Sequence, residues 1–290
     1  MTQATKNRVA PAQMSDAETL WYSGKWIDRV PQSVSIVVLG AAMLGLWWLI
    51  AELEFVSRIL LPGPAETFGE LWDTGKNIVS GGHLAVGLWI TTREVLLGFL
   101  FAAVSGFVLG VVVGETLLGK RAVMPYLVAL NALPKVAFAP VFVAWFGFGV
   151  SSKIVMAMFI AFFPVIVDTA AGLHAVDRDT LMLFQSMESN RWQTLRKLKL
   201  PSALPFIFAG LKTAAVFSVV GAVVSEYLGG GKGLGDAIRL SAQTLRIDRV
   251  FALIVYLGIL GLLLFGAVAW AEKKLLFWHK SEIFEIQGTG

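Results

Sequence analysis

The chain has 290 residues, 56% of them hydrophobic and only 15% charged, with a formal net charge of +4 and no cysteine. That balance excludes a soluble globular enzyme, which needs more polar surface than this chain carries, and the missing thiols exclude thiolate chemistry. The basic residues lie beside apolar runs instead of forming one open patch, so nothing points to nucleic acid.

Residues 1–32 are polar, with Pro11 and Pro31 at their margins, and lack the basic start and small-residue cleavage site of a signal peptide. Trp21, Tyr22 and Trp26 mix there with Lys25 and Arg29, which suits a segment lying among lipid headgroups; a disordered tail is the blander reading. Residues 33–275 then hold six apolar windows of about the 18–20 residues that cross a bilayer. They are 34–52, 84–114, 124–146, 154–173, 203–224 and 250–270. The predicted fold is all-α: a polytopic helical membrane protein of about six transmembrane helices, with a charged loop over 177–200 and a tail over 276–290.

Orientation follows from the flanking charges. With both termini in the cytoplasm, the outer segments hold only Arg58, Lys76, Lys153, Lys232, Arg239, Arg246 and Arg249. Most Lys and Arg then fall on the inner side, as the positive-inside rule requires.

In the second window Gly98, Ala102, Gly106, Gly110 and Gly114 recur every fourth position and so share one helix face. Lipid tails are as apolar as leucine, so helices in a bilayer associate by close backbone approach, which small residues permit. The stripe predicts a tight seam, within the subunit or between two copies. Pro134 and Pro140 interrupt the third window and Pro164 the fourth, freeing carbonyls that need a neighbour or a water-lined cavity. Arg93, Lys135, Asp168 and Lys212 lie in or near the windows, where an unpaired charge is costly. Lys135 and Lys212 are candidates to attract an anionic or polar solute. The structural alternative is that such groups pair, Asp168 with Lys212 for example, to orient helices. Asn131 and Glu226 join this pathway or helix-orienting set. His83, His174 and His279 are scattered, so no metal site is expected.

Between the fourth and fifth windows, Asp177 is placed to cap a short helix from Arg178, and Ser189 or Asn190 to cap a second, "RWQTLRKLKL", stopped by Pro201. Leu181, Phe184 and Met187 share a face of the first; Trp192, Leu195 and Leu198 share a face of the second. Such faces rest on headgroups or on a partner. Further on, "LGGGKGLG" has a central lysine but no Walker A spacing: Gly233 follows Lys232 where Ser or Thr would bind magnesium, and Glu226 replaces the first glycine. It reads as a flexible turn re-entering the outer face.

The charged loop resembles the EAA loop of permease subunits of ATP-binding-cassette importers, whose signature runs from Glu-Ala-Ala through a glycine to Ile-x-Leu-Pro. Leu198-Lys199-Leu200-Pro201 and the following "SALPFIFAGLK" match its close, and "SNRWQ" its centre. Glu188 stands at the glycine and Met182-Leu183-Phe184 at Glu-Ala-Ala. The resemblance extends over residues 60–278 through "LLPGPAETFGELW", "LPKVAFAPVFVAWFGFGVSSKIV", "AFFPVIVDTAAGLHAVD" and "SEYLGGGKGLGDAI". The subgroup resembled handles nitrate, sulfonates, taurine, bicarbonate and thiamine- or riboflavin-type precursors.

The resemblance implies a multi-pass subunit of a prokaryotic inner membrane, acting as a homodimer with two cytoplasmic ATP-binding subunits and an extracytoplasmic solute-binding protein. ATP and magnesium would belong to the ATPase partner, with no cofactor and no catalysis in this chain. Asp177, Phe184, Met187, Glu188, Arg191, Trp192, Leu195, Leu198 and Pro201 would form the coupling helices. The competing expectation is an ion- or proton-coupled carrier or channel working without an ATPase. Such carriers often repeat between halves, and no repeat is visible here.

Overall fold

The computed structural model describes residues 32–53 and 57–276, and every regular element among them is helical. The aromatic N-terminal segment with Trp21, Tyr22 and Trp26 and the tail with His279 lie outside the described residues. Two units are separated near Ser57. The first contains α1 (Gln32–Glu52), 21 residues with apolar side chains on every face. At about 1.5 Å per residue it matches the roughly 30 Å of a hydrocarbon core.

The second unit opens with α2 (Pro64–Val79), an amphipathic helix with Pro64 in its first turn. Its end reverses through Gly81 at φ +74°, where the Gly82 N–H reaches back to the Asn77 carbonyl at 2.8 Å. Asn77 Oδ1 accepts from Leu84 N at 2.9 Å and so ties this turn to α3 (His83–Glu115). The long helices that follow are α6 (Val150–His174), α9 (Leu200–Gly229) and α11 (Ile247–Leu275). Among the described residues, five helices are long and apolar enough to cross a membrane.

A sixth candidate span is a bent pair of helices. Residues Arg121–Ala132, which include α4 (Met124–Ala132), meet Lys135–Phe146 at 88°. The second arm is a 3₁₀ turn, Lys135–Phe138, leading into α5 (Ala139–Phe146). Leu133 takes an extended conformation, as the residue before a proline prefers, and the corner falls at Pro134. Pro140 sits in the first turn of α5, where its missing N–H costs nothing, and Pro164 is carried inside α6. Of the prolines expected to interrupt spans, only Pro134 makes a corner.

The core is α6 held between α3 and α9. A Cβ added at Gly98 would collide with Ala157; at Gly106 it would lie 2.8 Å from Val165 Cβ, at Gly110 2.6 Å from Thr169 Cβ, and at Gly114 2.8 Å from Leu173 Cδ1. Ala102 packs in one cluster with Ala161. The two helices thus run parallel in one constant register, and the stripe is a seam inside the subunit. On its other side α6 meets α9 antiparallel through Gly172, Gly210 and Gly221, the last 2.6 Å from Ala157 Cα when given a Cβ.

Candidate functional site

Two polar regions lie at opposite ends of this bundle, and one lies between them. At the first end, α6 gives way to α7 (Arg178–Ser186), capped by Asp177, whose Oδ2 accepts from Thr180 N at 3.3 Å. The helix closes in a left-handed turn with Glu188 at φ +56°. There Glu188 N donates to the Gln185 carbonyl at 2.9 Å and Ser189 N to the Phe184 carbonyl at 3.1 Å. This is the bond pattern that glycine usually closes, so the glutamate accepts the backbone conformation demanded of the expected glycine.

The next helix, α8 (Arg191–Thr194), is capped by Asn190 and not Ser189. Asn190 Oδ1 accepts from Gln193 N at 2.8 Å, and Gln193 Oε1 accepts from Asn190 N at 3.0 Å. Pro201 does not stop this helix. A π-helical turn, Leu195–Lys199, carries it into α9, with Leu200 N donating to the Leu195 carbonyl. The extra residue in that turn brings Pro201 into the first turn of α9, where a proline is tolerated.

This continuity corrects the expected outward face. Leu195 belongs to the long helix and is buried against Leu173, Ala203 and Ile207. Phe184 and Leu198 are half-buried. The exposed apolar side chains are Met182, Leu183, Met187 and Trp192, at 55%, 58%, 71% and 64% exposure. Arg191, Arg196 and Lys197 are exposed around them. Lys199 ties the segment to α3, its Nζ 2.8 and 3.0 Å from the two Glu115 carboxylate oxygens.

At the opposite end the glycine-rich turn leads into α10 (Leu234–Gln243) and folds onto a buried carboxylate. Thr91 Oγ1 donates to Glu226 Oε1 at 2.7 Å, Gly235 N to Glu226 Oε2 at 2.6 Å, and Leu234 N to Thr91 Oγ1 at 2.9 Å. A Cβ at Gly233 would collide with Glu226, and one at Gly231 (φ +138°) with Lys153 Nζ. The turn is therefore pinned, where sequence had indicated a flexible one. Glu226 holds α9, α3 and α10 together. Beside it Lys153 Nζ lies 3.6 Å from Glu94 Oε1, both side chains almost wholly buried. Sequence reasoning passed over Glu94 and Thr91 and counted Lys153 only as an outer flanking charge. Glu94 stands four residues before Gly98, on the same helix face as the stripe, and that spacing was its signal.

Between these ends the ionisable residues part company. Lys212 Nζ pairs with Glu272 Oε2 of α11 at 2.8 Å, so the expected Asp168–Lys212 pair does not form. Asp168 instead faces Gly210 across the α6–α9 contact. Lys135 and Lys212 share no partner: Lys135 Nζ donates to Asn131 Oδ1 at 2.6 Å and lies 4.9 Å from the centre of the Phe163 ring. Arg93 is exposed on α3. Among the described residues no group of His, Asp and Glu is arranged to hold a metal.

Residues 94–277 match the family model described as "Binding-protein-dependent transport system inner membrane component". The chain is 33% identical over 245 residues to the putative aliphatic sulfonates transport permease protein SsuC of Bacillus subtilis, covering 84% of this chain and 87% of that one. It is 34% identical over 240 residues to the formylaminopyrimidine transport permease protein ThiX of Halalkalibacterium halodurans, covering 83% and 94%. The taurine transport system permease protein TauC of Escherichia coli is 27% identical over 262 residues, 88% of this chain and 94% of that one. Among solved structures, the inward-facing MetNI methionine ABC transporter matches with a TM-score of 0.56 at 20% identity, over 66% of this chain and 95% of that chain, and so shares its fold.

Proposed function

The chain belongs to the family of inner membrane components of binding-protein-dependent transport systems, the permease subunits of ABC importers, and from that premise we propose how it works. ATP hydrolysis in this family resides in a separate subunit, which sets aside a carrier acting alone. Two copies of the chain form a pathway for a small polar, anionic or heterocyclic solute. An extracytoplasmic binding protein delivers the solute at the α2–α10 end. Two ATPase subunits, with ATP and magnesium, dock at the cytoplasmic 177–200 end, and both termini face the cytoplasm.

The observation that carries this reading is the construction of the 177–200 segment. It is capped at both helix starts, closed by a strained left-handed turn and tied to α3 through Lys199, yet it leaves Met182, Leu183, Met187 and Trp192 exposed. A loop resting on lipid needs no such rigidity, whereas a lever gripped by a motor does. Closure of the ATPases pushes this lever, and the π-helical turn passes the push into α9 without a hinge. The pathway then exchanges inward-open and outward-open arrangements as a rigid-body transition. ATP shifts that balance only through its different affinity for the two states.

Interface energy concentrates in buried aromatic and aliphatic anchors, with rim charges tuning encounter. Met187→Ala combined with Trp192→Ala is therefore expected to release the ATPase subunit while leaving the permease in the membrane. Co-purification against membrane permease level is the measurement, and full retention of the ATPase in the double variant would sink the docking role.

A further inference from the structure

Lys135 occupies an unusual position for an ammonium group. It stands at the corner of the broken crossing, directly after Pro134, and over the face of Phe163, near the middle of α6. Among the described residues it has no carboxylate partner; its one hydrogen bond is to the side-chain amide oxygen of Asn131. Two other lysines on the spanning helices are paired with carboxylates: Lys153 with Glu94 and Lys212 with Glu272. The rings of Phe138, Phe159, Phe162 and Phe163 pack in one chain beside it. Asn131, Leu133 and Val136 around the corner are exposed.

Hydrocarbon would strand this charge at a cost of several kcal/mol, and the corner lies midway along the bent pair, between Arg121–Ala132 and Lys135–Phe146. A water-lined pathway solvates it. The Lys135 ammonium retains N–H donors beyond the one given to Asn131, and the Asn131 amide adds its own. Donors on two side chains thus meet at the corner, over an aromatic floor. Cation and amide donors together fit an oxyanion: a sulfonate, a carboxylate or nitrate.

Resting on the importer reading, we propose that Lys135 and Asn131 form an anion-selective station halfway along the pathway, receiving the negatively charged group of a small oxyanionic solute.

The chain contains no cysteine, so one introduced thiol, read on the purified permease chain, reports without background from that chain. Ala132→Cys places that thiol beside the station in the intact complex in membranes. Its reaction rates with anionic sulfonatoethyl methanethiosulfonate and cationic trimethylammonioethyl methanethiosulfonate are each divided by the rate with a free thiol in solution. A nearby ammonium in a partly aqueous site is expected to favour the anionic reagent about tenfold. Lys135→Met in the same background should bring the ratio close to one, and Lys135→Arg should preserve it. A ratio unchanged by Lys135→Met, or a thiol that neither reagent modifies, overturns the proposal. If the Met variant fails to accumulate, absence of anionic preference in the Ala132→Cys protein alone does the same. ATPase retention by the unmodified permease, measured in the same membranes, keeps the outcomes separate: a permease that captures no ATPase counts against the importer reading, not against the station.

Discussion

Replacing glycine by alanine at two places in the long helices should have opposite consequences. At Gly258 in α11 nothing lies within 4 Å of an added Cβ. Alanine there collects the helix propensity difference, about 1 kcal/mol in favour of folding. At Gly110 the same methyl would sit 2.6 Å from Thr169 Cβ and 3.0 Å from both Thr169 Cγ2 and the Ile166 carbonyl oxygen. Comfortable carbon contacts need roughly 3.5–4.0 Å, so α3 and α6 must part by about 1 Å locally. Overpacking of this kind costs about 1–3 kcal/mol, which cancels or exceeds the propensity gain. Thermal unfolding of the detergent-solubilised protein is the assay, with each variant compared to the parent. Gly110→Ala should lower the midpoint relative to Gly258→Ala, and Gly110→Leu should lower it further. Thr169→Gly in the Gly110→Ala background removes the opposing Cβ and should recover part of the loss. Indistinguishable midpoints for Gly110→Ala and Gly258→Ala would refute the argument from backbone proximity.

Three further outcomes follow from the polar ends of the bundle. Glu94→Ala leaves the Lys153 ammonium buried without its partner and should cost about 3–5 kcal/mol, whereas Glu94→Ala with Lys153→Met should cost much less, read as thermal midpoints. Glu188→Gly relieves a left-handed residue that costs about 1–2 kcal/mol; it should raise stability against local proteolysis at 187–190 and leave ATPase capture unchanged. Leu195→Ala and Trp192→Ala should separate two roles: the first opens a cavity and lowers stability by about 2–5 kcal/mol, while the second weakens ATPase capture with little effect on the permease alone.

The crossings were legible because a 20-residue apolar run has few other fates, and the glycine stripe because a four-residue period maps to one helix face. The α3–α6 partnership was not legible, since a seam inside the subunit and a seam between copies have the same composition. The outward face of the 191–198 helix was misread for a physical reason. A helical wheel assumes 3.6 residues per turn, and one π-helical turn at Leu195–Lys199 shifts the face by a residue. Pro134 and Pro201 carry the same lesson in opposite directions. One makes a right-angled corner and the other sits quietly in a first turn, depending on whether the preceding residue is extended or helical. The buried Glu226 arrangement needed the turn at 229–235 to close on it, a contact between distant stretches that no local window reveals.

Glu94 and Lys153 stand in the same sequence offset as Gly98 and Ala157, Gly106 and Val165, and Gly110 and Thr169. Small side chains alone make a smooth track, along which two parallel helices can slip by a turn, about 5.4 Å, at modest cost. Slippage would carry Lys153 opposite Ile90 or Gly98 and leave two charges facing apolar groups. The ion pair is thus a detent: it adds little to the grip between the helices but makes one setting far cheaper than its neighbours. A transporter built this way keeps α3 and α6 as a single rail throughout its cycle, and the travel that opens and closes it has to be taken up elsewhere, with the corner at Pro134 a place already bent to allow it.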